Sequence, residues 1–84
     1  MKKGTKIIKV EIIDSTMKAY TMDKHGEVSK LDLSRKQRDI FGRYKSPSFV
    51  DNVRAEFNAD VLDEHFIIEK NGKQVYPPKK DDNG

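Results

Sequence analysis

The chain has 84 residues and a net charge of +3, and charged residues (37%) slightly outnumber hydrophobic ones (35%). This length excludes a second domain and a large core, and the absence of cysteine excludes a disulfide framework and thiolate metal sites. No stretch is apolar enough for a signal-peptide core or a membrane span, so we expect a cytoplasmic protein that does not associate with a membrane.

The first predicted element is a strand over residues 6–13. Its hydrophobic and polar side chains alternate, which is the pattern of a strand with one buried face. The alternation predicts that the core face carries Ile8, Val10 and Ile12. The opposite face then carries Ile7, Lys9, Glu11 and Ile13.

The second and third strands are predicted at about residues 17–23 and 27–33, joined by a short turn that contains Gly26. If Gly26 adopts a positive φ as the bulge residue of a three-residue turn, Asp23 lies opposite Glu27. The register then pairs Met17 with Leu33, Lys18 with Asp32 and Ala19 with Leu31. These pairs match apolar side chains with apolar ones and a lysine with an aspartate, which favours the assignment.

Two helices are predicted in the middle of the chain. Ser34 and Gln37 have the spacing of a capping box, which opens a helix at Arg35. The triplet at residues 46–48 contains a proline, so it ends this helix and starts the next. The second helix has the clearest helical pattern of the chain, with apolar residues three or four positions apart: Phe49, Val50, Val53, Phe57 and Val61.

The last predicted elements are two strands, at residues 65–70 and 73–76, that flank Asn71-Gly72. This dipeptide is the strongest short signal for a β-hairpin. A two-residue turn pairs Lys70 with Lys73, Ile68 with Val75 and Ile67 with Tyr76. Pro77-Pro78 cannot donate hydrogen bonds to a ladder, so the last strand ends there and lies at a sheet edge.

The complete pattern predicts an α+β fold with the element order βββ-αα-ββ. We expect an antiparallel sheet with both helices on one face. Residues 1–78 are predicted to form this single domain. Residues 79–84 are charged and lack apolar side chains, so they are predicted to be a disordered tail.

The sequence offers little for catalysis. His25 lies in a predicted turn, and His65 follows Asp60, Asp63 and Glu64 at spacings that match no known set of metal ligands. No glycine-rich phosphate loop, nucleophile elbow or paired-acid motif occurs. We therefore expect a protein that is not an enzyme and uses neither a cofactor nor a metal.

The charges are unevenly distributed along the chain. Residues 1–45 carry twelve basic and six acidic side chains, whereas residues 46–84 carry five basic and eight acidic ones. This asymmetry is compatible with an anionic partner for the first half, with self-association, or with attraction between the two halves of one chain. The last interpretation requires no partner.

The most distinctive stretch is residues 33–47, which hold five of the seventeen basic residues together with two aromatic ones. Cations in the first turn of a helix oppose its dipole, and this helix has no acid before Asp39. An anion docked there would reverse the sign of that interaction. The residues predicted to bind nucleic acid or another anion are Arg35, Lys36, Arg38, Arg43, Tyr44 and Lys45.

The basic residues of the same stretch can also be explained without a ligand. Arginine and lysine are good helix formers, and Asp39 has the spacing to pair with Arg43. We expect Phe41 to be a core residue, while Tyr44 fits a core position and a binding surface about equally well. Lysines near the start of the chain would extend the basic patch if the first strand lies beside it.

These patterns indicate a small non-enzymatic binding module whose basic face engages nucleic acid or another polyanion. The alternative is a protein-interaction or inhibitory module that uses a sheet edge or the acidic second helix. An acidic protein surface is the corresponding partner for the basic face, and a weak homodimer would follow from the uneven charges and the edge strand.

Overall fold

The computed structural model describes residues 3–78. The predicted tail at residues 79–84 lies outside these described residues. The elements in chain order are β1 (Lys6–Ile13), β2 (Thr16–Met22), β3 (Val28–Leu31), α1 (Arg35–Gly42), α2 (Phe49–Phe57), β4 (Leu62–Lys70) and β5 (Lys73–Tyr76). The predicted order βββ-αα-ββ and the α+β class are confirmed.

All five strands form one sheet in the order β3-β2-β1-β4-β5. Three neighbouring pairs are antiparallel, but β1 and β4 are parallel. The prediction of a purely antiparallel sheet is therefore wrong. The reason lies in the connection between β3 and β4, since two helices provide a crossover long enough to bring the chain back parallel to β1.

The predicted faces of β1 are corrected by a β-bulge. Ile7 pairs with Thr21, but Lys9 pairs with Tyr20, so Ile8 is an extra residue without a partner in this ladder. An extra residue reverses the alternation of side chains on either side of it. Ile7 is consequently buried together with Val10, whereas Ile8 is only half-buried.

The β2–β3 hairpin has the predicted register. Gly26 has φ +81°, and the amide of Asp23 donates a hydrogen bond of 3.0 Å to the carbonyl of Glu27. The Asp23 carboxylate also accepts hydrogen bonds from the backbone amides of His25 and Glu27, at 2.8 and 2.9 Å. Ala19 lies opposite Leu31, as predicted. Because β3 ends at Leu31, the predicted pairs beyond it are not part of the ladder.

The second helix begins at Phe49 and ends where Asn58 adopts the left-handed conformation, with φ +56°. Asparagine tolerates this conformation better than most residues, so it is a common helix terminator. Phe49 and Val53 are buried, while Phe57 lies near the end of the helix and is half-buried. The chain then enters β4 at Leu62, three residues before the predicted start.

The β4–β5 hairpin turns at Asn71-Gly72, where the two residues have φ values of +52° and +82°. Lys70 lies opposite Lys73, as predicted. The predicted pairing of Ile68 with Val75 is wrong, because a bulge at Val75 places Ile68 opposite Tyr76. The bulge also invalidates the predicted pair of Ile67 with Tyr76.

One cluster of buried side chains connects the sheet and the helices. Its members come from β1, β2, both helices, β4 and the segment that precedes β4. They are Ile7, Val10, Ala19, Phe41, Phe49, Val53, Val61, Phe66 and Ile68. The placement of both helices on one face of the sheet stays a prediction.

Candidate functional site

The start of α1 has the predicted capping box. The Ser34 hydroxyl accepts a hydrogen bond of 3.2 Å from the Gln37 amide, and the Gln37 side chain accepts one of 2.9 Å from the Ser34 amide. A capping box satisfies two of the four free amides at a helix start. The amides of Arg35 and Lys36 are left, and they have no hydrogen-bond partner within residues 3–78.

All five predicted basic residues have exposed side chains. Two of them already have acidic partners. The Lys36 ammonium lies 3.3 Å from the Glu56 carboxylate on α2, and the Arg43 guanidinium lies 3.2 Å from Asp39 one turn earlier on α1. Exposed pairs of this kind are weak, but they reduce the positive charge that an incoming anion meets.

The other three basic residues are Arg35, Arg38 and Lys45. None of them has a carboxylate within 4 Å in the described part of the chain. Arg35 and Arg38 are three positions apart on α1, so they project from neighbouring parts of the same helical surface. Lys45 follows the end of the helix. We call Arg35, Lys36, Arg38, Arg43 and Lys45 the basic surface.

Tyr44 lies at the boundary between the core and the surface. Its side chain is half-buried and packs against the core cluster. It also lines a cleft of about 420 Å³ between the end of α1 and β5. The cleft is bounded by Tyr44, Lys45, Ser46, Val75, Tyr76 and Pro78, and we call it the tyrosine cleft. Phe41, in contrast, is completely buried, which confirms its predicted core position.

Tyr76 was not among the site residues predicted from the sequence. Tyr76 lies 32 positions after Tyr44 in the sequence, and only the fold brings the two into one cleft. Its ring packs edge-on against Phe49, with 4.9 Å between centroids, and lies 5.8 Å from the ring of Phe66. The available signal was a tyrosine in an edge strand beside two prolines, which by itself indicates no partner.

A second cleft of about 280 Å³ borders Tyr76 and has a different charge. Its lining includes Asp63 and Glu64 as well as Tyr76. The two clefts that share Tyr76 therefore differ in sign, since Lys45 lines the first and two carboxylates line the second. A polyanion is attracted to one and repelled by the other.

The uneven charge of the chain is partly balanced by contacts between its two halves. Lys9 lies 2.8 Å from Glu69, and Lys36 lies 3.3 Å from Glu56. These pairs support the interpretation in which the basic and acidic halves attract each other within one molecule. Within residues 3–78, Lys36 is the one basic residue of the predicted site that pairs with the acidic half, since Arg43 pairs with Asp39 of its own half and Arg35, Arg38 and Lys45 have no carboxylate within 4 Å.

The histidines have local contacts in the structure. The His25 amide is bonded to Asp23 in the β2–β3 turn, and the His65 ring lies 3.3 Å from the Glu64 carboxylate with 86% of its side chain exposed. Residues 3–78 contain no group of three or more histidine and acidic side chains arranged to hold a metal ion.

Comparison with protein-family models, with curated proteins and with solved structures finds no match to this chain. Across residues 3–78, no helix has the length and hydrophobicity needed to cross a membrane.

Proposed function

We propose that this protein is a small non-enzymatic binding module whose basic surface engages nucleic acid or another polyanion. The observation that carries the proposal is the exposure of Arg35, Arg38 and Lys45 without a carboxylate within 4 Å in the described residues. The proposal includes a cytoplasmic location, because the sequence has no cysteine.

The position of the cations on α1 supports a binding role. The first turn of α1 contains no acidic residue, and Arg35 and Lys36 lie where the helix dipole disfavours positive charge. Each exposed cation there costs about 0.3–1 kcal/mol. A docked phosphate would interact favourably with the dipole, with the two free amides and with the arginines at once.

The test is the salt dependence of binding to a duplex and to a single-stranded oligonucleotide. The test variant changes Arg35, Arg38 and Lys45 together to glutamine. Each lost phosphate contact reduces the slope of log K against log salt by about 0.9 for a duplex or about 0.7 for a single strand. We therefore expect the slope to shrink by about two to three units.

A matched control changes Lys24, Lys70 and Lys73 to glutamine. These lysines are exposed at the two hairpin turns, and their removal lowers the net charge by the same amount. The control should keep the slope within about one unit of the parent protein. The proposal fails if both triple variants reduce binding equally, or if the parent protein binds neither nucleic acid at low salt.

Protein binding through a sheet edge is the second candidate function. The strand β3 lies at the edge of the sheet, where Val28 is 52% exposed and lies opposite Met22, which is 38% exposed. An edge strand with apolar neighbours is suited to pair with a strand of another chain. The acidic helix α2 is less suited, because Asp51 and Glu56 both lie within 4.0 Å of a basic side chain.

Nuclease treatment separates the two candidates. A partner captured from native lysate through nucleic acid is lost after nuclease digestion, whereas a protein bound to β3 stays. Changing Val28 to lysine should remove only the second kind of partner, because a charge at the edge opposes strand pairing.

A further inference from the structure

We infer that the tyrosine cleft holds one unpaired base, so that the nucleic acid bound by this protein is single-stranded. The inference rests on the proposed function, because it specifies the ligand of the basic surface. It adds Val75, Tyr76 and Pro78 to the site, and these residues come from the opposite end of the chain.

The size and lining of the cleft fit a planar ring. Its volume of about 420 Å³ lies within the range of about 300–1,000 Å³ that is common for small-molecule sites. Two tyrosine side chains line it, and every base can stack on an aromatic ring regardless of its sequence. The exposed Lys45 at the cleft is placed to neutralise a phosphate next to the stacked base.

Both tyrosines are held in place before any ligand binds. The Tyr76 ring contacts Phe49 and Phe66 of the core, at centroid distances of 4.9 and 5.8 Å. Tyr44 is half-buried against the same core. A side chain that is already ordered loses little conformational freedom on binding, so these rings form a preorganised platform.

The charges around Tyr76 determine from which side a nucleic-acid strand can approach this residue. Tyr76 lines two clefts: the tyrosine cleft, which contains Lys45, and the second cleft, which contains Asp63 and Glu64. A phosphate backbone is repelled from the acidic side. The strand is therefore expected to pass the tyrosine cleft and continue toward the remaining cations of the basic surface.

A duplex cannot use this cleft without distortion. Its bases are paired and stacked inside the helix, so a base has to be extruded before it can reach a protein side chain. A single strand presents unpaired bases at no such cost. The cleft thus predicts a preference for single strands that charge alone does not provide.

The experiment measures binding of the parent protein at one low salt concentration to three labelled ligands. They are a single-stranded oligonucleotide, the same strand with abasic positions at its centre, and the corresponding duplex. The first two have equal numbers of phosphates, so a difference between them reports base contacts. We expect the intact strand to bind about ten-fold more tightly than the abasic strand.

Two variants and two controls assign the preference to the cleft. Changing Tyr44 or Tyr76 to leucine should remove most of the ten-fold difference while leaving the affinity for the abasic strand unchanged. Changing Tyr20 to leucine should preserve the difference, because Tyr20 lies in β2 between Lys9 and Lys30 and does not line the cleft. Tyr76→Phe keeps the aromatic ring and should keep the preference.

A spectroscopic measurement on the parent protein keeps the test valid if a leucine variant does not fold. The ring resonances of Tyr44 and Tyr76 should shift when the intact strand is added and stay in place with the abasic strand. Equal binding of all three ligands with no ring shift overturns the inference but leaves polyanion binding intact. Absence of binding to every ligand overturns the proposed function as well.

Discussion

Phe41 is the residue on which the core is centred. It is completely buried, and its ring centroid lies 6.1 Å from each of the rings of Phe49, Phe57 and Phe66. Aromatic pairs at this distance contribute beyond the area that they bury. Phe41 was predicted to be a core residue, although the sequence did not indicate its three neighbouring rings.

Changing Phe41 to alanine should lower the free energy of unfolding by about 3–5 kcal/mol. This is a large part of the total of about 5–15 kcal/mol that is typical of small proteins. Phe57→Ala should cost less, because Phe57 is only half-buried. Urea unfolding of both variants measures the two losses, and a larger loss at Phe57 would contradict the central position of Phe41.

Lys9 is a residue whose pKa is shifted by its surroundings. Its ammonium lies 2.8 Å from the Glu69 carboxylate and 3.8 Å from Glu11. The hydrogen bond to Glu69 raises the pKa of Lys9 above the ordinary value of 10.5, and partial desolvation opposes this effect. Glu11 and Glu69 face each other across β1 and β4, so Lys9 also separates two like charges.

The raised pKa of Lys9 predicts how the stability of the protein changes at alkaline pH. The contribution of protonated Lys9 is fully present below pH 10.5 and is lost as the pH rises through the higher pKa of the folded protein. The difference in stability between the parent protein and Lys9→Met should therefore narrow above that pH. Chemical denaturation across the alkaline range measures it, with Lys24→Met as the control at an exposed turn.

At the scale of the elements, the turns were predictable and the bulges were not. Turn types depend on a few local residues, and the positive φ values of Gly26 and Gly72 follow from such signals. The bulges at Ile8 and Val75 depend on how whole strands pack against the core. The spacing of apolar residues cannot show where one residue is left unpaired, and one such residue changes the face of its neighbours.

Two glycines should respond to alanine in opposite ways. Gly72 has φ +82° at the hairpin turn, so Gly72→Ala should destabilise the protein by about 1–2 kcal/mol although the added methyl group meets no atom. Gly42 lies in α1, and space is also open there. Gly42→Ala should stabilise the protein by about 0.5–1 kcal/mol. Thermal unfolding of the two variants should show shifts of opposite sign.

At the scale of the whole molecule, features that depend on contacts between distant segments could not be predicted from the sequence. The basic surface was visible as a continuous stretch of sequence. The partner of Lys36 is Glu56 on another helix, and the partner of Tyr44 in the tyrosine cleft is Tyr76 on the last strand. The parallel pairing of β1 with β4 likewise joins distant segments, and no local pattern encodes it.

Self-association belongs to this scale too. We expect a weak dimer, since the last strand, β5, lies at a sheet edge, as β3 does, and the two halves of the sequence have opposite net charge. Internal pairs such as Lys9–Glu69 satisfy part of that attraction within one molecule. Salt screens the attraction that remains between two molecules, so the dimer should dissociate more readily as salt is added. Sedimentation at increasing salt tests this expectation, and a monomer at high protein concentration and low salt would contradict it.

The central position of β1 affects how this protein is made. Ribosomes deliver β1, β2 and β3 first, but the parallel neighbour of β1 is β4, which ends at residue 70. The core also lacks Phe66 and Ile68 until then. The nascent chain therefore completes its sheet only after β4 and β5 have been translated. A product of premature termination before β4 leaves one edge of β1 unpaired, and such an edge is a template for pairing with other chains.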